Sequence, residues 1–284
     1  MCGLPLASIL WYLCLLQPIF LFANPILNTN LVLHPINSGF GAIFSSVLSS
    51  LNMYEQEGYG GIHIDLNSGM YLDPDQGPNY WEYFFEPIRL GKQTNASKIL
   101  SLNEICALIN AGFVMSRERG CDLIQKYVHV KPHIQEEVDQ FVCDKFKDFF
   151  VVGVHYRGTD KKIEVPLVPY HTLWCHVNWW IANCPEGKTV RIFIATDDQH
   201  FLDYMDSLFP DQVVYNDFVR SKDGQPLHYG NDWYASNYQK GREAVIDCLL
   251  LSKCHVLLFP AASAFSMAAL KFNPHQIGIP LSGH

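Results

Sequence analysis

The chain has 284 residues, 49% of them apolar, and a formal net charge of −8. That length and apolar content suffice for one large domain or two ordinary ones. The acidic balance excludes a general nucleic-acid binder, whose footprint would be basic, but leaves room for a local basic pocket that takes a phosphorylated small molecule.

Leu4 to Ala23 is almost unbroken apolar sequence without a charge. Its length fits a signal-peptide core or a single span, although no Lys or Arg precedes it. Residues 1–24 are therefore expected to be a signal- or anchor-like segment, with membrane attachment through residues 4–23; a buried hydrophobic N-terminal segment is the alternative. The matching locations are the secretory pathway or a membrane (Golgi or endoplasmic reticulum lumen) in a eukaryote, and the cytoplasm or envelope in a bacterium. The nine cysteines show no C-x-x-C and no zinc-ligand spacing with histidine. Asn95-Ala96-Ser97 is a glycosylation sequon that matters only in a secretory setting.

From Asn30 the pattern alternates strand and helix. A strand over Asn30–His34 leads through Gly39-Phe40-Gly41 into a helix to about Gln56, with Ile43, Val47 and Leu51 on one face. Gly61–Leu66 is the next strand and Asn67–Gly77 a Gly/Asp/Pro loop. Asp73-Pro-Asp75 within it mimics a metal-binding D-x-D motif but reads as turn chemistry. Asn79–Ile88 is aromatic, predicted helical and destined for the core. Helices follow at Ser101–Ala111, Arg117–Val128 and Pro132–Lys147, the last with Pro132 in its first turn. The second half begins near Phe149. It reads as a strand ending at Arg157, a helix over Tyr170–Ala182, a strand over Val190–Ala195, a helix over His200–Leu208 and a strand over Gln212–Tyr215. A polar loop, 216–239, precedes a helix over Arg242–Ser252. A strand over His255–Phe259, a helix to Lys271 and a last strand at Gln276–Ile279 complete the chain. Such alternation implies mostly parallel sheets with right-handed crossovers, divided into residues 25–148 and 149–284.

Three strand ends in the second half carry polar signatures: His155–Lys161, Thr196–Asp198 and Ala261–Ser266. Ligands of open parallel sheets bind beyond such carboxyl ends. The first delivers Arg157, a permanent cation that needs an anion beside a core; an ion pair with Asp160 is the plain alternative. The third places Ser263 and Ser266 at a helix N-terminus, where free amides and the dipole favour an anion. Together they make a phosphate or diphosphate pocket. Neither a P-loop nor G-x-G-x-x-G is present. Asp247 interrupts the apolar helical run Ala244–Leu251; it is either an exposed position or a carboxylate that accepts from a purine N–H edge.

The blocks Val152–Lys161, Ile192–Asp198 and Ala244–Cys254 followed by Ser263 resemble, in order and spacing, those of the α1,6-/protein O-fucosyltransferase superfamily. The α1,6 enzymes, core-fucosylating and nodulation types included, are the nearest match. The likeness is good over residues 150–274 and looser over 30–90. The resemblance implies a GT-B-like α/β fold, with two Rossmann-like domains facing a cleft. It implies an inverting, metal-independent transfer of fucose from GDP-fucose to a glycan or protein hydroxyl, without a cofactor. Residues 25–148 would hold the acceptor, a glycan or glycoprotein, and residues 149–284 the donor.

By position, Arg157 would bind the diphosphate and stabilise the leaving GDP, Asp247 would read guanine, and Ser263 would sit on the phosphates. His155 and Asp160 would belong to the donor site, and Asp197 and Asp198 would line or brace it. Glu164 would be the base that takes the acceptor proton, with Lys161 as its partner; it stands one residue closer to the block than in the family. Gly158 occupies the place where those enzymes carry a second arginine. The 216–239 loop, with Arg220, Lys222, Trp233, Tyr234 and Tyr238, either folds over the nucleotide or is plain surface. Two other outcomes stay open: another nucleotide-sugar donor, or an inactive nucleotide- or glycan-binding relative.

Overall fold

The computed structural model describes residues 28–91, 96–159, 166–227 and 234–283. The apolar stretch 4–23, the sequon at Asn95, Trp233 and the expected site residues Asp160, Lys161 and Glu164 lie outside them.

Two sheets organise the chain. The first has strand order β3-β2-β1-β4. Strand β1 (Thr29–Leu33) pairs in parallel with β2 (Gly61–Ile64) and with β4 (Ala96–Ile99), while β3 (Arg89–Gly91) runs antiparallel along β2. Strands β3 and β4 lie where no strand was expected. They are short, polar edge segments, and their extended form comes from pairing rather than from their own pattern. Helix α1 (Phe40–Glu57) buries Ile43, Val47 and Leu51 as its periodicity predicts, but Ser45, Ser46, Ser49 and Ser50 are buried as well. The hydroxyls of Ser45, Ser46 and Ser50 donate to carbonyls three or four residues back at 2.7–2.8 Å. A helix can therefore be enclosed on nearly all sides without stranding those polar groups.

The aromatic segment forms only one helical turn, α2 (Trp81–Phe84). Phe85 leaves it to bridge with Val130, two residues before Pro87. Its side chains are core, as expected: Tyr80, Trp81, Tyr83, Phe84 and Phe85 are all buried. Asp73 caps a short 3-10 turn at Pro74–Gln76, accepting from the Asp75 amide at 3.3 Å. Helices α3 (Leu102–Val114), α4 (Arg117–Tyr127) and α5 (Pro132–Phe141) follow. The helical run from Pro132 ends in a wider π turn at Val142–Phe146.

The second sheet is wholly parallel with order β7-β6-β5-β8-β9. Its strands are β5 (Phe149–Tyr156), β6 (Thr189–Thr196), β7 (Val213–Val214), β8 (Val256–Pro260) and β9 (Ile277–Leu281). Helices α6 (Tyr170–Ala182) and α7 (Gln199–Leu208) pack on one face through Leu173, Val177, Phe201 and Met205. The other face meets α8 (Asn237–Lys253) and α9 (Ala264–Phe272), whose core is continuous with that of α1 and the first sheet. Helix α1 approaches α9 so closely that a Cβ on Gly41 would lie 2.4 Å from the Phe265 nitrogen. Only glycine permits that contact.

The chain goes outward from β5 through β6 to β7, then returns to the other side of β5 as β8. Strand order therefore reverses between β5 and β8. In open parallel sheets the crevice beyond the carboxyl ends at such a switch point is where ligands bind. Arg157 leaves β5 and Ser263 leaves β8 at this crevice. Among the described residues no helix is long and apolar enough to cross a membrane, and the seven described cysteines are free thiols.

Candidate active site

A cleft of about 340 Å³ opens at the switch point, lined by the ends of β5, β6 and β8, the first turns of α1 and α9, and one face of α8 from Lys240 to Asp247. Its volume is within the range of small-molecule sites.

One end is an anion pole. Arg157 lies 3.9 Å from the Asp197 carboxylate through Nε, and a Cβ on Gly39 would be 3.9 Å from Nη1. Gly39 caps α1 through no side chain, and the Phe40 amide donates to the Tyr71 hydroxyl at 3.1 Å. Helix α9 opens onto the same space through Ala264 and Phe265. Two helix N-termini and one guanidinium thus converge, and each favours negative charge.

Ser263 lines this pole, but its hydroxyl is committed. It caps α9 by accepting from the Ser266 amide at 3.1 Å and lies 3.3 Å from His155 Nδ1. His155 Nδ1 is 2.6 Å from Ser266 Oγ. Burial, with the Arg157 charge adding to it, pushes the imidazole down to about 3. It is therefore a neutral brace between β5 and α9, and the ligand-facing groups at Ser263 are those of the helix start.

The adjacent aspartates diverge. Asp197 lines the cleft and holds the Arg157 turn, accepting from the Gly158 amide at 2.9 Å and the Thr159 hydroxyl at 2.5 Å. Asp198 is not among the lining residues and, of the two expected roles, lining or bracing, takes the bracing one in this geometry. Its Oδ1 caps α7 by accepting from His200 and Phe201 amides at 2.9 and 3.4 Å, and its Oδ2 accepts from the Tyr170 hydroxyl at 2.8 Å. The same carboxylate explains Gly158, where a Cβ would lie 2.2 Å from Asp198 Oδ2 and 2.8 Å from Tyr156 Cε1. A side chain there displaces the cap.

The other end is an acidic floor. Asp247 faces the cleft from α8 and accepts from the Asn216 amide at 2.8 Å. Burial pushes its carboxyl up to about 7, against the pull of Asn216 and Arg220. Glu243, one turn earlier, accepts from the Val219 amide at 3.1 Å and Gln239 at 2.7 Å, and burial raises it too. Arg220 is 7% exposed and anchored by its donation to the Phe218 and Asn216 carbonyls at 3.0 and 2.5 Å. Tyr234 and Leu227 show that part of the 216–239 loop does line the cleft. Lys222 is exposed and is not among the lining residues; its carbonyl lies 2.9 Å from His200 Nε2.

Lys240, Glu243 and Tyr71 also line the cleft and were not singled out from sequence. The signal was present. Ser236-x-x-Gln239 is a capping pattern, and Ser236 accepts from the Gln239 amide at 3.1 Å. It starts α8 at Asn237 and puts residues 240, 243, 244 and 247 on one helical face. Among the described residues no group of His, Cys, Asp and Glu is placed to hold a metal ion.

With this geometry in hand, the comparisons with known proteins are informative. The chain is 28% identical over 169 residues to the nodulation protein Z of Sinorhizobium fredii, a match covering 56% of this chain and 51% of that protein. It is 26% identical over 167 residues to the Bradyrhizobium diazoefficiens counterpart, covering 44% of it. The chain thus spans about half the length of the curated relatives it matches. Among solved structures, NodZ α-1,6-fucosyltransferase soaked with GDP-fucose superposes with a TM-score of 0.61 at 19% identity, covering 86% of this chain and 92% of that one. POFUT1 in complex with GDP gives 0.56 at 11% identity, covering 89% and 98%. These superpositions show a shared fold. The family model described as nodulation protein Z (NodZ) matches residues 113–283, which is more than half of the chain and contains β5 to β9 with every strand end of the cleft's second sheet, and the chain therefore belongs to the NodZ family.

Proposed function

We propose that the chain is a fucosyltransferase that takes fucose from GDP-fucose and transfers it, with inversion and without a metal, to a glycan or protein hydroxyl. The observation that carries this reading is the polarity of one cleft, with Arg157 between two helix N-termini at one end and the half-buried Asp247 at the other. That spacing suits a ligand with a diphosphate and a base rich in N–H donors. Structures of relatives soaked or crystallised with GDP-fucose and GDP support the choice of nucleotide. In the proposed arrangement residues 149–284 form the donor domain, residues 25–148 form the acceptor side, and the two face each other across the cleft as in GT-B enzymes.

In the reaction the acceptor oxygen forms a bond to fucose C1 as the bond from C1 to the β-phosphate oxygen breaks. The electron pair leaves with GDP. Arg157 and the amides at the starts of α1 and α9 stabilise the growing phosphate charge, the main catalytic term expected at such a site. Asp197 aims the guanidinium through its contacts with Arg157, Gly158 and Thr159. The proton of the acceptor hydroxyl goes to Glu164, with Lys161 favouring its ionised form; both roles, and that of Asp160, rest on the family resemblance.

Calorimetric titration with GDP, UDP and ADP tests the donor, and transfer of labelled fucose to glycan and protein acceptors in the presence of EDTA tests the reaction. Preference for UDP or ADP would overturn the nucleotide assignment. Tight GDP binding without transfer would leave a binding protein.

A further inference from the structure

Among the described residues lining the cleft, the cationic side chains are Arg157 and Lys240. Lys240 is 4% exposed and lies near the start of α8, on the cleft-facing stripe that carries Asp247 seven residues later. Two tyrosines connect its surroundings with those of Arg157. The Tyr71 ring lies 3.3 Å from where a Cβ on Gly241 would be, and its hydroxyl reaches the Phe40 amide at 3.1 Å, beside Gly39 and Arg157. The Tyr234 ring centroid is 5.7 Å from the Lys240 ammonium. Burial raises its hydroxyl, with the charges of Glu243 and, less, Asp197 adding to it; Asp197 is the residue 3.9 Å from Arg157. Each tyrosine thus has one neighbour at or beside Lys240 and another beside Arg157. Seven residues of helix rise separate Lys240 from Asp247 by about 10 Å, the order of the distance from base to terminal phosphate in an extended nucleoside diphosphate.

Burial lowers the lysine pKa, and a phosphate dianion nearby favours its charged form. The turn after β5 cannot supply a further side chain at position 158, because the Asp198 carboxylate fills that space. We propose that Lys240 is a second cation of the diphosphate subsite, donating to phosphate oxygens from the α8 side while Arg157 holds them from the β5 side. The proposal rests on the nucleoside-diphosphate reading of the cleft given above.

The test is calorimetric titration of wild type, Lys240→Gln and Lys240→Arg with GDP and with GMP. Loss of one charge-assisted contact predicts about 10–100-fold weaker GDP binding in Lys240→Gln. GMP binding should change far less, and Lys240→Arg should recover most of the GDP affinity. Equal weakening toward GDP and GMP, or no weakening, overturns the proposal. Wild type that binds no GDP overturns the nucleotide reading as well, so the two failures are distinguishable. Should Lys240→Gln fail to fold, amine-directed labelling of wild type decides the matter. Protection of Lys240 by GDP but not by GMP supports the proposal, and equal or absent protection rejects it.

Discussion

At the Arg157 end of the cleft, charge is carried by groups that cannot lose it: a guanidinium and the amides of two helix starts. At the Asp247 end it rests on a half-buried carboxyl that desolvation raises to about 7. The first end recognises any phosphate and must be aimed, which Asp197 does. The second is chemically selective, because a carboxylate in a dry wall accepts only from a partner offering N–H groups in the right place, and its desolvation penalises mismatches. Binding strength and base selectivity are thus assigned to different ends of one cleft, and the two ends should fail in different ways.

The largest effect is expected from Arg157→Ala. Removing a donor aimed at the leaving phosphate should lower turnover by about 10²–10³, or about 3–4 kcal/mol of transition-state stabilisation. Preference for GDP over ADP should survive, because the Asp247 end is untouched. Near-normal turnover in a folded variant would sink the anion-pole assignment.

The Asp247 end should reveal itself through pH. Its carboxyl stands at about 7 in the folded protein against 3.8 for an ordinary aspartate, so the folded state binds the proton more tightly. Its contribution to stability is present below 3.8 and is lost as pH rises toward 7. Ligand binding should move the opposite way. A base presenting N–H donors needs the ionised form, so GDP affinity should fall below pH 7 by up to about tenfold per unit, with proton release on binding. Over two units the effect approaches a hundredfold. Titrations from pH 5 to 8 check this. The slope should vanish in Asp247→Asn and persist in Glu243→Gln; a slope that survives Asp247→Asn would place the titrating group elsewhere.

These two ends were not equally legible in the sequence. Arg157 and Ser263 stood out because apolar strands stop in polar clusters, and in a parallel sheet such stops coincide with the ligand-binding edge. Asp247 was visible as a charge inside an apolar helical run. Lys240 and Glu243 share its helical face, yet the polar stretch Asn237–Gly241 reads as loop until Ser236 is taken as the cap that starts α8. Asp197 and Asp198 are indistinguishable by composition and position. Only the backbone turn into α7 sends one side chain to the cleft and the other to a helix cap. Strands β3 and β4 were illegible for a different reason, since their conformation comes from the neighbours they pair with.

Gly158 lies where the anion pole meets the supporting layer. In Gly158→Ala the added Cβ collides with Asp198 Oδ2 and the Tyr156 ring. Overpacking of this kind costs about 1–3 kcal/mol, read as a lower urea midpoint at unchanged slope. Most of that cost should disappear when Asp198 is also truncated, because the two positions share one contact. Full additivity of the two substitutions would show that the strain lies elsewhere.

The smallest effect separates the paired aspartates. Asp198→Ala removes the α7 cap and the acceptor for Tyr170, and should cost about 1 kcal/mol of stability. GDP affinity should change little, because no atom of Asp198 lines the cleft. Asp197→Ala should behave in reverse. It leaves α7 capped but releases the Gly158 amide and the Thr159 hydroxyl, so Arg157 loses its orientation and GDP binding weakens more than the melting temperature falls. Parallel melting curves and GDP titrations on the two variants give a crossed pattern if one carboxylate supports the fold and the other the cleft. A tenfold affinity loss in a fully stable Asp198→Ala protein would instead return Asp198 to the donor site. It would also mean that the turn after β6 reaches the nucleotide with both side chains.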